Sequence, residues 1–135
     1  MRWISNTIYI FAYRFTEDYV MTIEQIKTKL DHIENSGDWN VDKEVISFIN
    51  AIIDDIPLPT SITPNRRLLH PSSNSIQLEY NLVHKCVELE VFPDEVLIAV
   101  APKICDWSKC KINRIPNSSE NMARIVSAMD TYRFD

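Results

Sequence analysis

Ile23, Ile26, Leu30 and Ile33 recur at spacings of three, four and three, which puts their side chains on one face of a helix. Thr22 and Gln25 stand where a capping box needs them, the hydroxyl and the amide each satisfying an N–H group at the helix start. Asn35-Ser36-Gly37 ends this helix, with Gly37 able to take the left-handed conformation of a C-cap. A second apolar stripe follows Trp39-Asn40: Val41, Val45, Phe48, Ile49, Ile52 and Ile56. It predicts a helix running to Pro57, whose missing N–H and demand on the preceding residue stop it. Residues 57–74 hold prolines 57, 59, 64 and 71 and read as an extended connector.

The period then changes to two. A tight turn at Leu82-Val83 would set Leu78 opposite Val87 and Ile76 opposite Leu89. A turn at Pro93-Asp94 would set Leu89 opposite Ile98 and Val87 opposite Val100. All of these share one face, as strand alternation requires. The other face collects Gln77, Glu79, Asn81, His84, Cys86, Glu88 and Glu90. Pro93-Asp94 suits the centre of a type I turn. Leu82-Val83 has poor turn chemistry, which leaves a longer loop open there.

After Pro102 the chain reads as irregular as far as Pro116. A last helix starts at Ser118 or Ser119, with Met122, Ile125, Val126 and Met129 as its stripe. Residues 4–15 are rich in aromatic and β-branched side chains, so residues 1–20 form an N-terminal strand extension or lie upstream of the core. The expected architecture is one α+β domain over residues 1–135: a three-stranded antiparallel meander, two helices before it and one after.

Composition narrows the chemistry. The chain has a single glycine, Gly37, in 135 residues. Phosphate-cradling loops and nucleophile elbows need several, so the common nucleotide-binding and hydrolase motifs are ruled out. Residues 1–60 carry ten acids and five bases, and residues 61–135 carry nine of each, which gives the net charge of -5. That balance argues against nucleic acid, whose backbone needs clustered Lys and Arg. The N-terminal apolar run from Ile8 to Tyr13 is too short for a signal core or a membrane span, so a cytoplasmic setting with three free thiols is expected.

The stretch 37–100 carries Gly37-Asp38-Trp39-Asn40, the helix through Ile56, Pro57-Leu58-Pro59, Ile62-Thr63-Pro64, Ile76-Gln77-Leu78-Glu79-Tyr80 and Val87-Glu88-Leu89-Glu90-Val91. In these it resembles a group of small bacterial proteins of uncharacterised function that share a Gly/Trp turn, a helix, a Pro-x-Pro-like connector and an Ile-x-Leu-Glu-Trp strand. Tyr80 stands in the place of the Trp, Ser73-Asn74 replaces an Asp-Gly turn, and the glycines that usually follow the Gly/Trp turn are missing. The resemblance implies this fold and a bacterial or phage origin, and it carries over no activity and no site residue.

Three groups of side chains can be weighed as sites. His84, Cys86, Cys105 and Cys110 form a metal-like set, with four residues between the last two cysteines, but they lack the glycine-flanked knuckles of zinc modules. Ordinary packing is the expectation for them, with no metal and no cofactor. Lys103, Lys109, Lys111 and Arg114 around Trp107 form a weak basic run interrupted by Asp106. His32 and His70 have no nucleophile partner that the sequence singles out. Glu79, Glu88 and Glu90, with Gln77, form an acidic sheet face that can steer a basic protein partner. The expected function is therefore a non-catalytic protein that binds and occludes a protein partner, in an antitoxin, immunity or anti-defence role. The alternative is a small enzyme or zinc-dependent domain using the His/Cys set. Reversing Glu88 and Glu90 to Lys is expected to leave the fold intact.

Overall fold

A computed structural model describes residues 20–36, 41–64 and 74–133. The first helix, α1 (Ile23–Asn35), opens with both halves of the capping box: Gln25 N–H donates to Thr22 Oγ1 (3.1 Å), and Thr22 N–H donates to Gln25 Oε1 (2.9 Å). Ile26, Leu30 and Ile33 are its buried face. The second helix, α2 (Lys43–Ile52), buries Val45, Ile46, Phe48, Ile49 and Ile52. It closes four residues earlier than expected. Asp54 and Asp55 would place negative charge at the negative end of the helix dipole, and Pro57 disfavours helix at Ile56. The chain turns through 53–55, and Ile56 still reaches the core. The expected Gly37 cap, the Gly/Trp turn and the N-terminal strand lie outside the described residues.

The sheet is antiparallel with five strands in sequence order, not three: β1 (Ser61–Pro64), β2 (Ile76–Asn81), β3 (Lys85–Val91), β4 (Glu95–Pro102) and β5 (Lys111–Pro116). The β3–β4 register is as expected, with Leu89 opposite Ile98 and Val87 opposite Val100. The β2–β3 register is shifted by two residues, so Leu78 faces Leu89 and Ile76 faces Val91. The cause is the turn. Leu82 N–H donates to Lys85 O (3.0 Å), so the turn is centred on Val83-His84, one residue later than a Leu82-Val83 turn and of the same length, not the longer loop left open by the sequence. A two-residue shift preserves the parity of every side chain, so the same faces stay inward.

The two extra strands are the sheet edges. In β1, Pro64 is tolerated because an edge strand need not donate on both sides. In β5, Ile112 and Ile115 are three apart and fall on opposite faces: Ile115 is buried and Ile112 is 56% exposed. That spacing hides the strand from a period-two reading. The last helix, α3 (Met122–Asp130), follows a 3-10 turn at Ser119–Asn121 and buries Ile125 and Met129. Side chains of all three helices and of the inner sheet face form one hydrophobic cluster. The opposite sheet face has no α-helix on it among the described residues. None of the described helices is long and apolar enough to cross a membrane.

Candidate functional site

The outer face of the sheet is where strand parity delivers the acids. On β2 and β3 the register sets Glu79 directly opposite Glu88 and Gln77 opposite Glu90. Cβ atoms of facing residues lie about 4.5–5.5 Å apart, and like charges so placed are destabilising. No Lys, Arg or His among the described residues forms an ion pair with Glu79 or Glu88. Each is instead steadied through one oxygen: Ser61 Oγ donates to Glu79 Oε1 (3.2 Å), and Gln77 Nε2 reaches Glu88 Oε1 (3.5 Å). Partial burial, then the charges of Glu79 and Glu90, raise the carboxyl pKa of Glu88 above its ordinary value.

Glu90 differs from its neighbours. It is only 6% exposed, and its Oε2 accepts a 2.6 Å hydrogen bond from the buried Ser75 Oγ. This corrects the expectation that Glu90 is a solvated charge whose reversal leaves the fold intact. A lysine there would bury a cation and remove the acceptor on which Ser75 depends, at a cost well beyond that of a surface change. Glu79, Glu88 and Gln77 are half-buried and are the members of the acidic face that reach solvent. Glu90 holds its base.

The segment after β4 folds back over this face. Asp106 N–H donates to Pro102 O (3.2 Å), and Asp106 Oδ1 caps the 3-10 turn Trp107–Lys109 by accepting from Ser108 N–H (3.2 Å). Lys103 Nζ donates to Asn81 Oδ1 and to Leu82 O (2.6 Å), which ties the segment to the end of β2. Cys105, with φ of 58°, is joined to Cys86 of β3 by a disulfide with a Cα–Cα distance of 5.4 Å, inside the usual range. Cys110 is the free thiol.

This arrangement corrects the cysteine reading. Two of the expected free thiols are bonded to each other, because the chain between them doubles back from β4 onto β3. His84 does not share a strand face with Cys86; it sits exposed in the β2–β3 turn. The metal-like set is therefore not assembled, and among the described residues no three of His, Cys, Asp and Glu are placed to hold a metal ion.

Trp107 is the residue whose place the sequence did not reveal. It separates two clefts on the outer face. One, of 310 Å³, is bounded by Thr60, Glu79, Asn81, Glu88 and the disulfide. The other, of 270 Å³, has Glu88 and Glu90 on one side and Leu97, Ala99 and Ile112 as an apolar floor. Trp107 is 38% exposed, with Ile112 and the 87%-exposed Ile104 nearby in sequence. The basic run that surrounds Trp107 in sequence is dispersed: Arg114 Nη1 donates to both carboxylate oxygens of Glu95 (3.2 and 3.1 Å), Lys109 lies 4.0 Å from Asp106, and Lys103 turns to Asn81. Comparison with protein-family models, curated proteins and solved structures yields no match for the chain.

Proposed function

We propose that this protein is a non-catalytic binding protein whose outer sheet face docks on a basic region of a protein partner and occludes it. The observation that carries this reading is the facing pair Glu79 and Glu88: two carboxylates set opposite each other, with no ion-paired cation among the described residues. Such a pair costs stability in the free protein, and a partner's positive charge relieves that cost on binding. A tryptophan and the exposed Ile112 beside the acids give the face the mixed aromatic and apolar character of an interface core. Nucleic acid fits this surface poorly, since Trp107 stands among carboxylates and two of the nearby bases are paired with acids. In a bacterial or phage cytoplasm, occlusion of a basic partner is the action of an antitoxin, immunity or anti-defence protein. In that reducing setting Cys86, 3% exposed, is the shielded end of the disulfide, and Cys105, half-buried at the wall of the cleft, is the accessible one.

The test is affinity capture from the native host with the wild-type chain and with a Glu79→Lys, Glu88→Lys chain, each first shown to melt cooperatively. A basic protein should be enriched by the wild type, lost with the reversed chain, and released progressively as salt rises. Equal enrichment of the same proteins by both chains at every salt concentration would refute the reading.

A further inference from the structure

The two clefts beside Trp107 differ in a way that names the partner's anchoring side chain. At 310 and 270 Å³ they lie at the lower edge of the about 300–1,000 Å³ typical of ligand sites, a size for a single side chain rather than a cofactor. The larger cleft is the polar one. Its two carboxylates are each steadied through Oε1, by Ser61 and by Gln77, so the Oε2 oxygens remain to accept from an incoming donor. Its wall is the indole of Trp107, the aromatic ring on which a cation gains most.

We infer that this cleft receives an arginine side chain from the protein partner, with the guanidinium stacked on Trp107 and bridging Glu79 and Glu88. Arginine fits better than lysine for a geometric reason. Its planar fork can donate to two carboxylates at once while one face lies flat on an aromatic ring, whereas an ammonium is a compact, strongly hydrated point charge. The smaller cleft, floored by Leu97, Ala99 and Ile112, takes an apolar neighbour of that arginine in the docked segment. This rests on the proposed use of the outer face, and it adds the chemistry by which the partner is chosen.

The probes are three acetylated tripeptide amides, Gly-Arg-Gly, Gly-Lys-Gly and Gly-citrulline-Gly, titrated into the 15N-labelled full chain. Citrulline keeps the shape of arginine and removes its charge. The indole N–H of Trp107, assigned with Trp107→Phe, and the amide of Glu88 should shift and saturate with the arginine peptide. The citrulline peptide should bind about tenfold more weakly, with lysine between the two, as expected when charge-assisted hydrogen bonds and the cation–ring contact are lost. Glu79→Gln with Glu88→Gln should abolish the shifts while the spectrum of the inner-face residues stays unchanged.

Equal shifts for arginine and citrulline, or arginine shifts that fall away from Trp107, overturn the inference. If the peptides fail but charge reversal still releases a captured partner, the docking face stands and the arginine cleft falls. If arginine binds in the cleft but capture ignores charge reversal, the cleft stands and the occlusion reading falls.

Discussion

Tyr80 ties a strand to the connector that precedes the sheet. It is 3% exposed, and its hydroxyl donates a 2.9 Å hydrogen bond to Pro57 O. Burial pushes its phenol pKa well above the usual value, and the charge of Arg133 only partly opposes this. Replacing Tyr80 by Phe leaves a buried carbonyl unsatisfied and should cost about 1–3 kcal/mol in denaturant melts. The raised value has a second consequence. Above about pH 10 the unfolded phenol loses its proton while the folded one keeps it, so stability falls from there up to the folded pKa. In Tyr80→Phe that part of the alkaline loss should be absent when melts are compared across the window. Glu88 runs by the same sign at the acidic end. Its raised pKa means that the ionised form burdens the fold, a burden incurred as pH rises from the ordinary carboxyl value of about 4.3 through the folded one. Glu88→Gln should therefore melt higher than wild type at neutral pH, with the difference vanishing near about pH 4, where both states carry the proton. A neutral-pH melting temperature below that of wild type would mean that the carboxylate is satisfied in the free protein.

Among the elements, the segment 103–110 governs the face because it carries Trp107, and the Cys86–Cys105 bond governs the segment. Opening a closed loop of this modest length typically removes about 2–4 kcal/mol. Cys86→Ala with Cys105→Ala should show that loss in melts and should also free the Trp107 indole from its single environment, visible as broadening of its N–H signal. Thiol titration of the denatured, unreduced protein should find one free thiol per chain, that of Cys110. Three would mean that the pair is open in the isolated protein. The elements themselves were legible in proportion to how local their causes are. The α1 start could be read from Thr22 and Gln25 because a capping box is complete within four residues. β5 could not, because Ile112 and Ile115 serve opposite faces and only pairing with β4 makes the segment a strand.

For the molecule as a whole, the division into an inner and an outer sheet face decides both stability and the proposed function. Leu89 lies at the centre of the inner face, fully buried and paired between Leu78 and Ile98. Leu89→Ala should cost about 2–5 kcal/mol, measured by denaturant unfolding. A loss below about 1 kcal/mol would mean that the layer of helices does not press on this part of the sheet. The same parity that puts Leu89 inward puts Glu88 and Glu90 outward, and there the molecule treats two neighbouring acids differently. Glu88 stays at the half-buried surface of the cleft, whereas Glu90 is drawn into the fold by Ser75. That contact spans 15 positions of the chain and forms because β2 begins beside the end of β3.

Read alone, the amino-acid chain established what depends on short range: the α1 stripe and its cap, the helix within 43–52, the two-faced character of β2, β3 and β4, the Pro93-Asp94 turn, and the side of the sheet on which the acids lie. Periodicity carries those because a side chain's direction follows from its own position along a helix or strand. Assembly in three dimensions settled the rest: the β2–β3 register, the two edge strands, the bonding of Cys86 to Cys105, the burial of Glu90, and the placing of Trp107 between an acidic cleft and one with an apolar floor. Each of these joins residues distant in the chain. Their energies come from partners that a local pattern does not contain, so they exist only once the sheet has closed and the 103–110 segment has folded back across it.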